Sequence, residues 1–239
     1  RGMHEVPESA DWLSPAESAR LATLRFAKRR TEVRLGRWTA KQAIARALDL
    51  DDDAGTLALI ELRAAPSGAP VAFVADERAP VAVSLTDRAD WAVCVVAPAD
   101  LAVGCDLELV EARTDSFVRD WFTSTEQDLV FGADPGEERR LLANLVWSAK
   151  ESALKVLETG LRRDTSTVEV DVVDVAGQDR WAHLVVRAEE GTAFPGWWRR
   201  YGDFLLTLAA DADRGPPIPL EEPPRLAGAT PSHSWLAEP

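Results

Sequence analysis

The chain of 239 residues is predicted to adopt an α+β fold made of two similar halves. Three features point to this arrangement. Short apolar runs bounded by turn residues alternate with longer stretches of helical period. Each half combines such runs with one or two helices, although the similarity between the halves is too weak to prove a duplication. A Pro-rich segment without periodicity follows them. We therefore divide the chain into residues 1–100, residues 101–212 and an extended tail of residues 213–239.

The N-terminal half opens with a clear helix start. Ser14 is a capping residue, Pro15 takes the first helical position, and Glu17 lies in the first turn. Gly36 is expected to interrupt the helical pattern before a second helical stretch at residues 38–48. Strands are predicted at residues 56–62, 81–85 and 91–96, with turns at residues 64–70 and 86–90.

The C-terminal half begins with an apolar strand at residues 102–110. Thr123 and Glu126 have the spacing of a capping box, and a long helix is predicted from residue 138 to residue 157. The pair Trp197-Trp198 is interpreted as half-buried packing near a sheet edge. Further strands are predicted at residues 168–173, 183–186 and 204–209.

Composition excludes several classes of protein. The net charge of −13 argues against a general nucleic-acid binder. No run is long and apolar enough to span a membrane, and residues 1–13 do not resemble a signal peptide. Cys94 and Cys105 are expected to be buried free thiols in a reducing cytoplasm, and two cysteines with three separated histidines provide no Cys/His metal cluster. We expect a cytoplasmic protein.

Two carboxylates lie side by side in the strand at residues 102–110. Asp106 and Glu108 are two residues apart, so they project from the same face of the strand. Such neighbours repel each other unless one is protonated or a cation bridges them, and carboxylate oxygens suit Mg²⁺. An edge strand with its polar face in water explains the same alternation of apolar and acidic residues. The strand alone leaves both readings open.

The long helix carries an unusual group of charges. The chain has only four lysines, and Lys150 and Lys155 flank Glu151 on this helix. Trp147, Glu151 and Lys155 follow each other at i+4 steps and share one face. An ordinary amphipathic helix with a Glu–Lys pair is one interpretation. The other is that Glu151 joins the two strand carboxylates at Mg²⁺ while the lysines neutralise phosphate oxygens. There is no Walker-type glycine loop.

Taken in order, the two motifs resemble a known family. Gly104-x-Asp106-x-Glu108 followed by Trp147-Ser148-x-Lys150-Glu151-x-x-x-Lys155 is similar to the paired motifs of the surfactin-synthetase-activator type of 4′-phosphopantetheinyl transferase. The similarity extends over roughly residues 21–209. Three weaker segments agree with it: Val83-Ser84-Leu85-Thr86, Leu35-Gly36-Arg37 with Lys41, and Phe122-Thr123-x-x-Glu126.

The resemblance implies a phosphopantetheinyl transferase-like fold, a pseudo-twofold monomer with coenzyme A in the cleft between its halves. A serine of an acyl or peptidyl carrier protein would attack the β-phosphate and displace 3′,5′-ADP. Asp106, Glu108 and Glu151 would hold Mg²⁺, with Glu151 as base and Lys155 stabilising the developing charge. The remaining implied contacts are Lys150 with phosphate, Ser84 and Thr86 with the nucleotide phosphates, and Arg37 and Lys41 with the nucleotide end.

The sequence departs from the family pattern at the nucleotide end. Asp87 occupies the position of a histidine that faces the 3′-phosphate of coenzyme A, and its charge would repel that phosphate. Arg37, Lys41 or Arg88 would hold the 3′-phosphate if coenzyme A is still the substrate. Alternatively, the protein acts on a thioester tethered to a carrier protein, in cyclisation or chain release. A non-catalytic carrier-binding protein is a third interpretation, which the intact motif pair disfavours.

Overall fold

The computed structural model describes residues 1–174, 180–222 and 224–233. The predicted α+β class is confirmed, since helices pack on antiparallel sheets. The helices are α1 (Pro15–Thr23), α2 (Ala27–Ala47), α3 (Ala54–Leu59), α4 (Asp115–Trp121), α5 (Ser124–Gly132) and α6 (Glu137–Val156). The strands are β1 (Ile60–Ala64), β2 (Pro70–Val74), β3 (Glu77–Arg78), β4 (Val81–Arg88), β5 (Trp91–Pro98), β6 (Val103–Leu109), β7 (Val168–Val172), β8 (Ala182–Ala188), β9 (Ala193–Tyr201) and β10 (Phe204–Ala210).

The C-terminal half is a five-stranded sheet in the order β6-β10-β9-β8-β7, with α6 packed against one face. Apolar residues of α6, such as Leu145 and Leu154, pack with alternate residues of the strands, such as Leu184 and Leu205. Strand β9 lies in the middle of this sheet, and Trp198 is almost completely buried. The prediction that Trp197-Trp198 lies near a sheet edge is therefore wrong. The spacing of the tryptophans gave no indication of how many strands would flank them.

The N-terminal half contains the three-stranded sheet β1-β2-β3 and the hairpin β4-β5, against which α2 packs. Gly36 does not interrupt the helix, because α2 is continuous across it. A glycine inside a helix costs about 1 kcal/mol relative to alanine, and tertiary packing of a long helix offsets a cost of that size. Residues 56–59, predicted as strand, form the end of α3 instead.

The predicted turn at residues 86–90 is also too long. Strand β4 continues to Arg88, and only Ala89 and Asp90 make the turn, with φ of 48° and 64°. Two consecutive positive φ angles match the twist of a tight hairpin. Thr86 and Asp87 consequently lie in a strand beside β6 rather than in a loop.

A buried glutamate–lysine pair organises the N-terminal half. Glu17 belongs to a capping box with Ser14 and accepts a hydrogen bond from the backbone N–H of Leu62 on β1. Its Oε2 lies 2.6 Å from the Nζ of Lys41, which is fully buried on α2. The pair thus ties the start of α1, the middle of α2 and β1 together.

The C-terminal half contains the same arrangement. Glu126 belongs to a capping box with Thr123 and accepts a hydrogen bond from the backbone N–H of Val170 on β7. Its Oε2 lies 2.7 Å from the Nζ of Lys150, which is fully buried on α6. The two pairs support the predicted duplication. The duplication of whole halves stays a prediction, because their sheets differ in strand number.

Beyond β10 the described residues cross the surface without regular structure except for a 3₁₀ turn at Arg225–Gly228. The predicted tail falls here, apart from residues 223 and 234–239, which lie outside the described residues. The segment boundaries at residues 100 and 212 stay predictions. Cys94 and Cys105 are free thiols, as predicted, although Cys94 is only partly buried. No helix of the described residues is long and apolar enough to cross a bilayer.

Candidate functional site

The candidate site forms where β6 passes under α6. Gly104 makes this approach possible, because an added Cβ would lie 1.9 Å from the carbonyl oxygen of Ser152 on α6. Asp106 and Glu108 pair across the sheet with Thr207 and Leu205 of β10. The predicted shared face is therefore correct, and it is the face that α6 covers.

Among the described residues, only one of the two carboxylate oxygens of Asp106 accepts hydrogen bonds. Its Oδ1 accepts hydrogen bonds from the Nζ of Lys155 at 3.0 Å and from the hydroxyl of Thr86 at 3.2 Å. Its Oδ2 is buried without a hydrogen bond among the described residues. A buried carboxylate oxygen without a partner is costly, so this atom is suited to accept a cation or a donor from a ligand.

Lys155 is held at the site by two acceptors. Besides Asp106, its Nζ donates to the carbonyl oxygen of Cys105 at 2.7 Å. Burial lowers the pKa of Lys155, but the charge of Asp106 and its hydrogen bond outweigh burial, so the net shift is upward. The ammonium therefore stays charged at neutral pH. An ammonium has three N–H donors, so these two bonds leave one for a ligand.

Glu108 is occupied by other side chains of the protein. Its Oε1 accepts a hydrogen bond from the indole N–H of Trp147 at 3.1 Å. Its Oε2 forms no hydrogen bond with the described residues but is ion-paired, 3.1 Å from Arg113 Nη2 and 3.4 Å from Arg88 Nε. Arg88 also donates to Glu111 at 2.7 Å. Burial, with the nearby charge of Asp106, raises the pKa of Glu108, while the two arginines oppose that shift. The sequence gave no signal for Arg113 in this role.

Glu151 approaches the cluster from α6. Its side chain is half-buried, and burial together with the charge of Asp106 raises the pKa of Glu151 to about 7. Lys155 opposes this shift and Glu108 adds to it. A carboxyl group with a pKa near neutrality can take up a proton at physiological pH, which is what a general base requires.

The cluster fits a divalent cation in part. Asp106 has a buried oxygen without a hydrogen bond among the described residues. Burial is the main cause of the raised pKa of Glu151, and the charges of Asp106 and Glu108, which a cation would offset, add to it. Glu108 is engaged by two guanidinium groups. The described residues contain no group of three or more His, Cys, Asp or Glu side chains arranged as metal ligands. Asp106 and Glu151 thus fit Mg²⁺, which needs only one or two protein carboxylates when substrate phosphates supply other ligands.

Ser84 and Thr86 connect the two halves of the protein. The Ser84 hydroxyl accepts a hydrogen bond from the backbone N–H of Cys105, and the Thr86 hydroxyl accepts one from that of Leu107, both at 3.0 Å. These side chains satisfy the edge of β6 that β10 does not pair. Both hydroxyls are buried, and in this structure they join β4 of the N-terminal half to β6 of the C-terminal half. Their predicted contact with the nucleotide phosphates stays a prediction.

Two of the predicted phosphate ligands lie away from the cluster. Lys150 donates to the carbonyl oxygens of Thr165 and Val168 as well as to Glu126. Lys41 is likewise saturated by carbonyl oxygens and its glutamate. Burial lowers the pKa of both lysines. Their three donors all point into the protein, which does not support a contact with phosphate.

Arg37 also faces inward, with its Nε 3.3 Å from the carboxylate of Glu17. Of the predicted nucleotide contacts, Arg88 and Asp87 remain at the rim of the cluster. Asp87 has an exposed side chain at the end of β4. Protein atoms around its carboxyl group nevertheless desolvate that group and raise its pKa, and the charge of Glu32 adds to this effect. Arg29 and Lys155 are near enough to oppose the shift. Asp87 therefore lies between the start of α2 and the carboxylate cluster.

Comparison with known proteins agrees with the motif pair. Residues 102–208 match the model of the 4′-phosphopantetheinyl transferase superfamily. The match runs from the start of β6 to near the end of β10, so it contains Asp106, Glu108, Glu151 and Lys155. It supports this superfamily, and a transferase activity in general, for the C-terminal half. No protein of curated function matches the chain.

Proposed function

We propose that this protein transfers 4′-phosphopantetheine from coenzyme A to a serine of an acyl or peptidyl carrier protein. The observation that carries this proposal is the cluster of Asp106, Glu151 and Lys155. Asp106 has a carboxylate oxygen without a hydrogen bond in the described part of the chain, Glu151 has a pKa of about 7, and Lys155 carries a charged ammonium. The family match over residues 102–208 supports the transferase class. The finer assignment to the surfactin-synthetase-activator type rests on the motif spacing.

The residues divide the chemistry between them. Asp106 and Glu151 would hold Mg²⁺, which supplies charge neutralisation and orientation of the pyrophosphate. Lys155 directs its remaining N–H at a phosphate oxygen on which negative charge develops, and Asp106 keeps it protonated. Arg88 and Arg113 hold Glu108 at the rim of the cluster, where the phosphates of coenzyme A would enter.

In the transfer step, the serine oxygen forms a bond to the β-phosphorus. The bond between that phosphorus and the bridging oxygen of 3′,5′-ADP breaks, and the bridging oxygen keeps the electron pair. The serine proton passes to the carboxylate of Glu151, which lies beside Asp106 and Lys155 in the cluster. The products are holo carrier protein, 3′,5′-ADP and protonated Glu151.

The two roles assigned to the carboxylates are separable by experiment. Binding of Mn²⁺, measured by electron paramagnetic resonance without substrate, should weaken at least tenfold in Asp106→Asn because a cation ligand is lost. Glu108→Gln should bind Mn²⁺ within about threefold of the parent protein, since the arginines already occupy that carboxylate. Equal losses in both variants would instead make Glu108 a metal ligand.

The role of Lys155 is tested by its substitution. Lys155→Met should lower kcat for release of 3′,5′-ADP by a factor of about 10² to 10³, as expected for loss of a preorganised charge. Lys155→Arg, which keeps the charge, should retain more activity. If both variants release 3′,5′-ADP at the parental rate, the cluster is not the reaction centre.

One observation favours a second function. Asp87, at the position of the family histidine, brings a negative charge close to where a 3′-phosphate would bind. The second candidate is therefore an enzyme that acts on a thioester tethered to holo carrier protein, with Glu151 or Asp87 as base. Asp87→His distinguishes the two. The first function predicts a modest change in KM for coenzyme A, and the second predicts that the variant gains transfer activity that the parent lacks.

A further inference from the structure

A large cavity lies on the side of the C-terminal sheet opposite the carboxylate cluster. Its volume is about 600 Å³, and Asp106, Glu108, Glu151 and Lys155 do not line it. Leu206 and Leu208 of β10 face the cavity, whereas Thr207 between them bonds to residues of α6. Alternate side chains point to opposite faces of a strand, so β10 itself separates the two regions.

The walls of the cavity come from both halves of the protein. Strand β5 contributes Val93 and Val95, β9 contributes Trp197 and Tyr201, and α2 contributes one side. The inner surface is thus mainly aliphatic and aromatic. The charged side chains of the lining carry both signs in equal number, so they give no net attraction for an ion; they are Arg1, Arg46, Arg214, Arg225, Asp51, Asp52, Asp213 and Glu221.

The tail forms the roof, and we call residues 212–221 the strap. At its start, Asp211 and Ala102 exchange two hydrogen bonds, and at its end Glu221 pairs with Arg225 at 2.7 Å. Leu226 then inserts into the apolar cluster beneath. The strap is therefore fixed at both ends.

Between these anchors the strap stands away from the sheet. Ile218 is 88% exposed, although it and its neighbours line the cavity. Pro216, Pro217 and Pro219 have no N–H and a fixed φ, so this stretch cannot pair as a strand or collapse easily onto the sheet. The space beneath it is preserved by the covalent structure of the strap.

Two polar atoms of the lining residues are unsatisfied. Thr39 Oγ1 and Trp181 Nε1 are buried and form no hydrogen bond with the described residues. A ligand with a carbonyl oxygen would satisfy such a donor, whereas a pure hydrocarbon would not.

From the volume, the apolar walls and these donors, we propose that the cavity binds a neutral, mainly apolar small molecule that carries a carbonyl group, such as a long-chain acyl ester. The volume lies within the range of pockets that enclose small ligands. The strap covers the ligand, and its stiffness keeps the site formed when no ligand is present. This site is separate from the transfer centre and does not depend on the proposed transfer activity.

The experiment uses the full chain and the neutral dye Nile red, with displacement by methyl laurate below its solubility limit. We expect saturable binding of one dye molecule, with an increase in fluorescence that methyl laurate reverses. Val95→Trp fills the cavity and should weaken dye binding at least tenfold. Val173→Trp, the same change at a side chain 58% exposed and outside the lining, should leave dye binding unchanged.

Leu208→Trp provides a second filled cavity in case Val95→Trp fails to fold, and circular dichroism identifies the folded variants. Equal dye affinity of a folded cavity-filling variant and Val173→Trp would overturn the proposal, since the dye would then be bound elsewhere. Absence of saturable binding to the parent protein would overturn it as well. Displacement by dodecane as effective as that by methyl laurate would refute the carbonyl requirement.

Discussion

The raised pKa of Glu151 makes a quantitative prediction about stability. In the folded protein its pKa is about 7, against an ordinary value of 4.5. Because the folded-state pKa is the higher one, protonation favours the folded state. The stabilisation is complete below pH 4.5 and is lost as the pH rises through 7. At pH 8 without metal, the ionised carboxylate therefore destabilises the protein, and Glu151→Gln should remove that penalty.

The size of the effect follows from the shift. The difference between these two pKa values corresponds to about 3 kcal/mol, at 1.36 kcal/mol per pKa unit. Glu151 is only half-buried, so water screens part of this energy, and we expect Glu151→Gln to raise the free energy of unfolding by about 1–2 kcal/mol at pH 8. At pH 4 parent and variant should differ by less than about 0.5 kcal/mol, because the parent carboxyl is then mostly protonated in both the folded and the unfolded chain.

Urea unfolding in the presence of EDTA measures this difference at both pH values. Glu8→Gln is the matched control, since Glu8 is an exposed carboxylate away from the cluster. A Glu151→Gln variant that is no more stable than the parent at pH 8 would refute the electrostatic account of the site. A gain equal to that of Glu8→Gln would refute it too, because it would reflect only the net charge of −13.

Two further predictions concern the frame of the site. Gly104→Ala should lower the free energy of unfolding, measured with urea, by more than about 2 kcal/mol, because the added Cβ would clash with Ser152. Gly132→Ala is the control: its Cβ meets open space, and stability should change by less than about 1 kcal/mol. Lys150→Met should lower the free energy of unfolding by about 3–5 kcal/mol, since it leaves the carboxylate of Glu126 buried without its partner. If Gly104→Ala stays within about 1 kcal/mol of the parent protein, the clash with Ser152 does not occur. If Lys150→Met does so, the buried charge of Glu126 does not depend on Lys150.

The motif residues were predictable from sequence because regular structure fixes their relative positions. The two-residue spacing of Asp106 and Glu108 on a strand, and the four-residue spacing of Glu151 and Lys155 on a helix, each determine one face. Their meeting depended on one contact, the passage of β6 under α6. Gly104 marked that contact in the sequence, although its role as a point of close approach became clear only from Ser152.

The structure does not support the predicted phosphate contacts of Lys41 and Lys150, because their donors are taken up inside the protein; an ammonium can serve a phosphate or a protein interior equally well. Lys41 and Lys150 follow Trp38-Thr39-Ala40 and Trp147-Ser148-Ala149, a repeat visible in the sequence. A feature common to both halves indicates a role in folding, since the carboxylate cluster exists in one half only. The partners of Glu108 were not predictable, because Arg88 and Arg113 reach it from separate segments whose approach depends on tertiary packing.

Transfer of phosphopantetheine is measured by intact-mass spectrometry of apo carrier proteins incubated with this protein, coenzyme A and Mg²⁺. We expect a mass gain of one phosphopantetheine group on the carrier serine, with release of an equal amount of 3′,5′-ADP. We also expect Glu151→Gln and EDTA each to suppress the gain. An unchanged carrier mass across several acyl and peptidyl carriers, with a folded enzyme, would contradict the proposed transfer.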